Sequence, residues 1–237
     1  MNPLSIVIPC YNEASNLIRI IEKIDQIHQQ NPEVEIVIVD NGSTDSTPEV
    51  LKELIEPRMH FITRHRIEKN QGYGHGIVSG IRIAKGEVLS WTHADLQTDP
   101  LDVIHAYQEF IENPMCPDCI LKGRRVGRNF FDTMFTAGMS VLSTLLLRVP
   151  LSDVNAQPKM FHRNFLGQLT DAPMDFSLDL YLLYQARTNN YLILEHPVHF
   201  GKRLHGEAKG GGSLKGKWKL ILRTWKYMLR LKRELNR

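Results

Sequence analysis

The sequence predicts an α/β domain: a mostly parallel central sheet flanked by helices, followed by a basic amphipathic helix at the C-terminal end. Apolar runs at 4–9, 34–39 and 88–91 have the length and bounding turn residues of buried strands. The stretches between the first of them carry helical periodicity, and strand-helix-strand-helix at this spacing calls for parallel strands with right-handed crossovers. The chain's 237 residues suit one well-filled core with a small appendage, so 1–213 is assigned to the domain and 214–237 to the terminal helix.

The first strand, 4–9, leads through Tyr11, Asn12 and Glu13 into a helix over 14–30. There Leu17, Ile20, Ile21, Ile24 and Ile27 recur at three and four, as one buried face requires. The second strand ends at Asp40, the turn Asn41-Gly42-Ser43-Thr44-Asp45 follows, and a helix begins near Ser46-Thr47-Pro48. A weaker strand at 61–64 precedes Asn70-Gln71-Gly72-Tyr73-Gly74-His75-Gly76, which opens a helix reaching Lys85. Its three alternating glycines admit two readings. Either backbone amides close around a phosphate at the helix N-terminus, or the glycines form a turn for close helix packing. The spacing and the position in the third βα unit fit a dinucleotide fingerprint poorly. Further on come a helix over 100–111, a strand at 120–122 ending in Gly123-Arg124-Arg125, a helix over 175–187 carrying Asp179, and a strand over 191–196. The glycines at 210–212 leave the chain free to fold over a ligand.

The fourth βα unit is where chemistry concentrates. The apolar run 88–91 delivers His93, Asp95 and Gln97 past the end of a strand, and alternate residues of an extended chain share one face. An imidazole, a carboxylate and an amide oxygen there make a first shell for a divalent cation. Asp99-Pro100 then caps and starts the next helix. In open α/β sheets ligands bind beyond the carboxyl ends of the strands, which is where this cluster falls.

Composition narrows the class. Hydrophobic residues at 42% and charged residues at 23% are ordinary globular values, which exclude disorder as the dominant state. The start MNPLSIVIP lacks the pattern of a secretory signal, so a cytoplasmic location is expected. Cys116 and Cys119 form a CPDC without a second pair, read as a solvated loop with two incidental thiols, and Cys10 reads as a small core residue. The net charge of +3 conceals an asymmetry, because 214–237 carry nine Lys or Arg against Glu234 alone. Lys219, Arg223, Lys226, Arg230, Arg233 and Arg237 align on one meridian of a helix, with Trp218, Ile221, Leu222, Trp225, Met228 and Leu229 opposite. Such a helix either lies in an anionic membrane interface or docks on its own domain with a solvated basic face. The uncharged stretch 133–147 is shorter than the ~20 residues of a membrane span; it is a core helix or an interfacial one. No base-stacking platform or basic groove is evident elsewhere, so nucleic acid is not an expected partner.

Several stretches together resemble family 2 glycosyltransferases of the GT-A fold: IVIPCYNE at the start, Asp40 to Asp45 after the second strand, Asn70-Gln71-Gly72, and His93-Ala94-Asp95-Leu96-Gln97. Their order and spacing cover about the first 100 residues. Gly123-Arg124-Arg125, Asp153 and Arg203-x-x-Gly206-Glu207-Ala208-Lys209 extend the likeness to the polyprenyl-phosphate branch, which includes dolichyl-phosphate mannose synthases.

The resemblance implies that Pro9, Tyr11, Glu13 and Asp40, with Gly42, Asn70, Gly72 and Asp95, bind a nucleotide sugar. Asp95 and Gln97, with His93, would hold Mg²⁺ or Mn²⁺, the imidazole favouring Mn²⁺. Arg203 would lie near phosphates, Arg124, Arg125 and Lys209 near the acceptor or its phosphate, and Asp179 near the acceptor as a candidate catalytic carboxylate. It further implies a lipid-linked acceptor, a peripheral position on the inner face of the membrane, and a membrane-spanning partner as a candidate presenter of the acceptor. Three departures stand out: His93 replaces the first Asp of the usual Asp-x-Asp, Asn41 replaces the commoner second Asp after strand two, and Asn155 to Lys159 replaces the Ser-Gly-Phe of the polyprenyl branch.

Overall fold

The computed structural model describes residues 3–127 and 147–201, together with 138, 144, 222 and 225–229. Seven strands form one sheet: β1 (Leu4–Cys10), β2 (Glu35–Asn41), β3 (Ile62–Ile67), β4 (Val88–Trp91), β5 (Cys119–Val126), β6 (Lys159–His162) and β7 (Leu192–His199). Their order is β3-β2-β1-β4-β6-β5-β7. The expected parallel pairs are present, with Ile6 opposite Ile36 and Val39 opposite His65. Only β6, which the sequence analysis leaves unassigned, runs antiparallel to its neighbours β4 and β5. It is four residues long and carries Lys159 and a terminal His162, so it offers neither a long apolar run nor an alternation to read.

Side-chain alternation along each strand divides the core in two. Leu4, Ile6 and Ile8 of β1 with Ile36 and Ile38 of β2 face α1 (Ala14–Gln30), α2 (Thr47–Ile55) and α4 (Asp102–Glu112). Val7, Val37, Val39, Leu89 and Trp91 face the other way, toward α3 (Tyr73–Ile83) and α5 (Leu178–Thr188). The periodic face expected in α1 is the buried one. Each buried Ile or Leu contributes about 1.5–3 kcal/mol relative to exposure, so the two layers fix the strands on which the site depends.

Boundaries shift by a few residues. The helix expected from 100 begins at Asp102, because Asp99 uses its side chain to accept from Leu101 N–H at 3.0 Å and so turns the chain one step earlier. β5 is longer than expected and reaches Val126, since β7 pairs with it along its whole length. Cys116 and Cys119 lie close together, their Cα atoms 5.2 Å apart, and Cys119 is fully buried at the start of β5, so the reading of a thiol in a solvated loop is corrected for Cys119. Cys10 is a buried free thiol, as expected, and burial pushes its pKa up.

Among the described residues no helix is long and apolar enough to cross a membrane. Apart from residues 138, 144 and 147, which are helical, the expected helix over 133–147 lies outside the described residues, as does nearly all of 214–237. Residues 225–229 are helical, and Met228 is fully buried in the α3/α5 layer while Lys226 is exposed.

Candidate functional site

The carboxyl ends of β1, β2, β3 and β4 open on the same side of the sheet, and the loops that follow them interlock. Asn12, in the left-handed region at φ 56°, donates its N–H to Ser43 Oγ at 3.0 Å and accepts from Thr44 N–H at 2.8 Å. Glu13 N–H donates to Thr47 Oγ1 at 2.9 Å, and the Glu13 carboxylate accepts from Asn16 at 2.7 Å. These bonds fuse the two loops into one wall, with Pro9, Tyr11 and Glu13 partly exposed along it.

Asp40 sits at the end of β2, buried. Its Oδ1 accepts from Ser43 N–H at 3.0 Å. Its Oδ2 lies 3.5 Å from Arg66 Nη1 and accepts no hydrogen bond among the described residues. A buried carboxylate oxygen with that capacity left is suited to a donor group on a ligand, such as a base N–H or a ribose hydroxyl. Arg66 was missed by the sequence analysis. No local signal pointed to it, because the strand as read ends at 64 and the register that sets Arg66 opposite Asp40 is a pairing distant in sequence.

The glycine-rich turn is resolved in favour of close packing. Asn41 Nδ2 donates to Gly72 O at 2.9 Å, and Gly72 N–H donates to Asn70 Oδ1 at 2.8 Å. His75 N–H at the start of α3 donates to Met174 O at 3.0 Å. Gly42 (φ 71°) and Gly72 (φ 117°) are both in the left-handed region, and a Cβ would stand 2.3 Å from Asn70 N in the first and from Met174 O in the second. The amides of Gly72 and His75 are therefore satisfied by the protein itself, and Gly42 and Gly72 let their turns approach the backbone of Asn70 and of Met174 closely. Asn41 explains its own departure: an Asp there would set a carboxylate against the Gly72 carbonyl.

The stretch after β4 is bent rather than extended. β4 ends at Trp91, Leu96 has φ 56°, and Gln97 N–H turns back to Asp95 Oδ1 at 3.1 Å. The expectation that His93, Asp95 and Gln97 share a face through strand alternation is corrected accordingly, since an Asx turn breaks the alternation. Gln97 is engaged with the end of β7, its Nε2 donating to Gly201 O at 3.3 Å and its O accepting from Gly201 N–H at 2.8 Å. Asp95 is buried, and the partly exposed His93 ring lies 5.7 Å from that of Tyr73. Among the described residues no group of three His, Cys, Asp or Glu could hold a metal by itself. One carboxylate with an imidazole nearby fits instead a cation held largely by the phosphates of a ligand.

Beside this turn lies a buried polar cluster that was legible only in part. Asp179, near the start of α5, accepts from Gln157 Nε2 at 3.0 Å on Oδ1 and from the Tyr73 hydroxyl at 3.3 Å on Oδ2, and pairs with Lys159 Nζ at 3.4 Å. Both its oxygens are thus committed. Burial, reinforced by the Asp179 charge, pushes the Tyr73 phenol well above its usual range. Lys122 pairs with Glu195 at 2.8 Å, and half-exposed Arg124 lies 3.8 Å from the same carboxylate. Arg125 grips Asp153 through its backbone N–H at 2.9 Å, its Nε at 2.8 Å and its Nη2. Although burial alone would raise the Asp153 pKa, these contacts hold it below the usual carboxylate range. Of the two arginines, Arg124 keeps its guanidinium toward solvent and Arg125 pins a loop. Arg203 and Lys209 lie outside the described residues. The sequence analysis missed Tyr73, Lys122, Gln157, Lys159 and Glu195, since a lysine or glutamine at a strand end gives no local sign of burial.

Comparison with known proteins adds the family. Residues 5–166 match the family described as Glycosyl transferase family 2. The chain is 28% identical over 221 residues to a dolichol-phosphate mannosyltransferase of Pyrococcus furiosus, covering 90% of this chain and 60% of that one. It is 31% identical over 104 residues to an undecaprenyl-phosphate 4-deoxy-4-formamido-L-arabinose transferase of Proteus mirabilis, covering 44% of this chain and 32% of the relative. The chain thus spans between a third and three fifths of the length of these curated relatives. Among solved structures, it is similar to a mannosyltransferase of Pyrobaculum calidifontis in complex with GDP-Man and Mn²⁺ (21% identity, TM-score 0.63, 95% of this chain and 69% of the other). A second is glucosyl-3-phosphoglycerate synthase of Mycobacterium tuberculosis with Mn²⁺, UDP and glucosyl-3-phosphoglycerate (18% identity, TM-score 0.73, 98% and 80%). At those identities the structures establish the fold, which is the GT-A fold expected, and the family match establishes the rest: this chain belongs to glycosyl transferase family 2.

Proposed function

We infer that the chain transfers a sugar, with inversion, from a nucleoside-diphosphate sugar to a lipid-linked phosphate, with polyprenyl phosphate the first candidate. The observation that carries the choice of acceptor is the state of Asp179. A hydroxyl acceptor needs a general base, and this carboxylate is buried with both oxygens committed to Gln157, Lys159 and Tyr73. A phosphate oxygen is already a nucleophile. It attacks the anomeric carbon, the bond from that carbon to the donor's diphosphate oxygen breaks, and the nucleoside diphosphate leaves with the electron pair. The named activities of the polyprenyl-phosphate relatives agree with this reading.

In this reading Asp40, Tyr11, Glu13 and Pro9 take the base and ribose, and Arg66 stands at the edge of the same wall. Asp95, with His93 and Gln97 beside it, would hold the divalent cation, Mn²⁺ being favoured over Mg²⁺ by the imidazole. A cation held there would supply neutralisation of the charge that develops on the leaving diphosphate. The half-exposed guanidinium of Arg124 supports a role for it at the acceptor phosphate, a role that the resemblance extends to Lys209, while it sets Arg203 near the donor's phosphates as a catalytic residue. In the same reading domain 1–213 does the chemistry and the basic segment 214–237 holds it on an anionic membrane surface at the inner face, with a membrane-spanning partner a candidate presenter of the acceptor.

The deciding experiment incubates the purified chain with labelled UDP- and GDP-sugars, Mn²⁺ and polyprenyl phosphate in vesicles, with Asp95→Ala as control. Label entering the lipid phase with wild type and not with the variant is expected. Release of nucleoside diphosphate only when a saccharide hydroxyl is offered would sink the phosphate-acceptor reading.

A further inference from the structure

Two lysines lie side by side within the sheet. Lys122 of β5 and Lys159 of β6 are cross-strand partners, so their side chains leave the same face, and both are fully buried. Lys122 has an outlet in Glu195, which is about one third exposed. Lys159 has none: its ammonium donates to the Ala156 carbonyl and pairs with Asp179 at 3.4 Å, itself buried. A buried ammonium beside a like charge is expensive, and apolar packing by Phe161 and Trp91 on the same face supplies the core without it. What Lys159 anchors is a chain of contacts leading to the cleft. Asp179 binds Gln157 and the Tyr73 hydroxyl, and Gln157 Nε2 also donates to that hydroxyl at 3.1 Å. Tyr73 opens α3 directly after Gly72, and its phenol is close enough to Asp95 to be shifted by its charge.

We propose, on the functional reading above, that Lys159 is a positioning residue for sugar transfer: its buried ammonium fixes Asp179 and Gln157, and through them holds Tyr73 and the glycine-rich turn in register with Asp95. The groups facing it are Asp179 from α5, Tyr73 from α3 through Asp179, Lys122 from β5 with Glu195 of β7 behind it, and Asp153 from the loop before β6. β4 faces it with uncharged Trp91. Burial lowers its pKa to about 8 against the pull of Asp179, with Lys122 lowering it and Asp153 raising it. The lock therefore loosens just above neutral pH.

The test uses the isotopically labelled full chain, following backbone amide resonances of Tyr73, Gly74, His75 and Gly76 from about pH 6.5 to 9.5, alongside turnover as above. In wild type these signals are expected to move with a midpoint near 8, and to stay still in Lys159→Met and Asp179→Asn. Turnover in Lys159→Met is expected to fall about a hundredfold with the donor KM within about threefold, because a displacement of ~1 Å acts on the reacting geometry more than on binding. Should Lys159→Met not fold, Lys159→Arg keeps the charge and is expected to hold the signals still through the same range. Signals that do not titrate in wild type, or titrate unchanged in the variants, overturn the proposal, as does full turnover in Lys159→Met. Titration in wild type without transfer to any acceptor supports the lock and instead sinks the functional reading.

Discussion

The buried Lys159 makes a quantitative prediction about stability in mild alkali. Its folded pKa is about 8, against about 10.4 for an unfolded lysine. Between these values the unfolded chain holds a proton that the folded chain has released, so stability gained from this group rises with pH at about 1.4 kcal/mol per unit. From pH 8 to 10 that amounts to about 2 to 3 kcal/mol. Two other buried groups act in the opposite sense. The Cys10 thiol and the Tyr73 phenol are both raised, chiefly by burial, so the folded state keeps protons that the unfolded state loses, and their contributions fall as pH passes about 8.5 and about 10. Wild-type stability alone therefore mixes signs. In the difference between wild type and Lys159→Met the contribution of Cys10 cancels, and what remains belongs to Lys159 together with Tyr73, which Asp179 couples to it. Urea unfolding followed by tryptophan fluorescence, in half-unit steps from pH 7 to 10 with constant m-value, gives that difference. It is expected to change by about 2 to 3 kcal/mol in favour of wild type between pH 8 and 10. Parallel stability curves would show that Lys159 titrates alike in both states and that its burial is not what perturbs it.

Gly72→Ala is expected to destabilise by about 1–3 kcal/mol in the same unfolding assay, since its backbone is at φ 117° and the added carbon meets Met174 O at 2.3 Å; a neutral result would mean that the 172–175 loop yields freely. Asp95→Ala is expected to weaken Mn²⁺-dependent UDP or GDP binding by about tenfold or more in titration calorimetry, and equal affinity with and without metal in wild type would contradict the cation assignment. Asp153, whose folded pKa is depressed, contributes stability that is complete above its unfolded value of about 3.9 and is lost as pH falls through the folded value. Asp153→Asn should accordingly flatten the acid limb of the stability curve below about pH 4, and an unchanged limb would disprove the assignment. Replacing Lys219, Arg223, Lys226 and Arg230 together by Gln should cut co-sedimentation with anionic vesicles by about 1 kcal/mol per charge, and unchanged binding would remove the membrane role.

The layers of the fold were open to reading because their signals are local. The face of α1 appears in the sequence as Leu17, Ile20, Ile21, Ile24 and Ile27, and burial follows it residue by residue. Asp40 was likewise legible, sitting at the end of an apolar run where an open sheet places ligands. What escaped depends on pairings distant in sequence. β6 is short and is held by neighbours about 70 and 40 residues away, Trp91 and Lys122 each opposite Lys159. Nothing near Lys159 announces that its partner is Asp179. The turn after β4 escaped for another reason: strand alternation was extended past Trp91, where Asp95 ends it by accepting from Gln97 N–H.

The departures from the family pattern take on meaning from these contacts. Asn41 trades a carboxylate for an amide that bonds Gly72 O, tying β2 to the glycine-rich turn. Gln157 and Lys159 fall within the 155–159 stretch that departs from the polyprenyl branch, and both bond or pair with Asp179. Tyr73 completes that arrangement from α3. A substitution that looked like lost acceptor chemistry thus coincides with a buried charge pair beside the cleft. A buried carboxylate whose oxygens are taken by an ammonium, an amide and a phenol offers no oxygen to an acceptor hydroxyl. Asp179→Asn would keep the hydrogen-bonding shape while leaving Lys159 unpaired. It should cost about 3 kcal/mol or more in stability, yet spare the nucleophile if the acceptor is a phosphate. A variant with wild-type stability and no turnover would reverse that inference and make Asp179 the base after all.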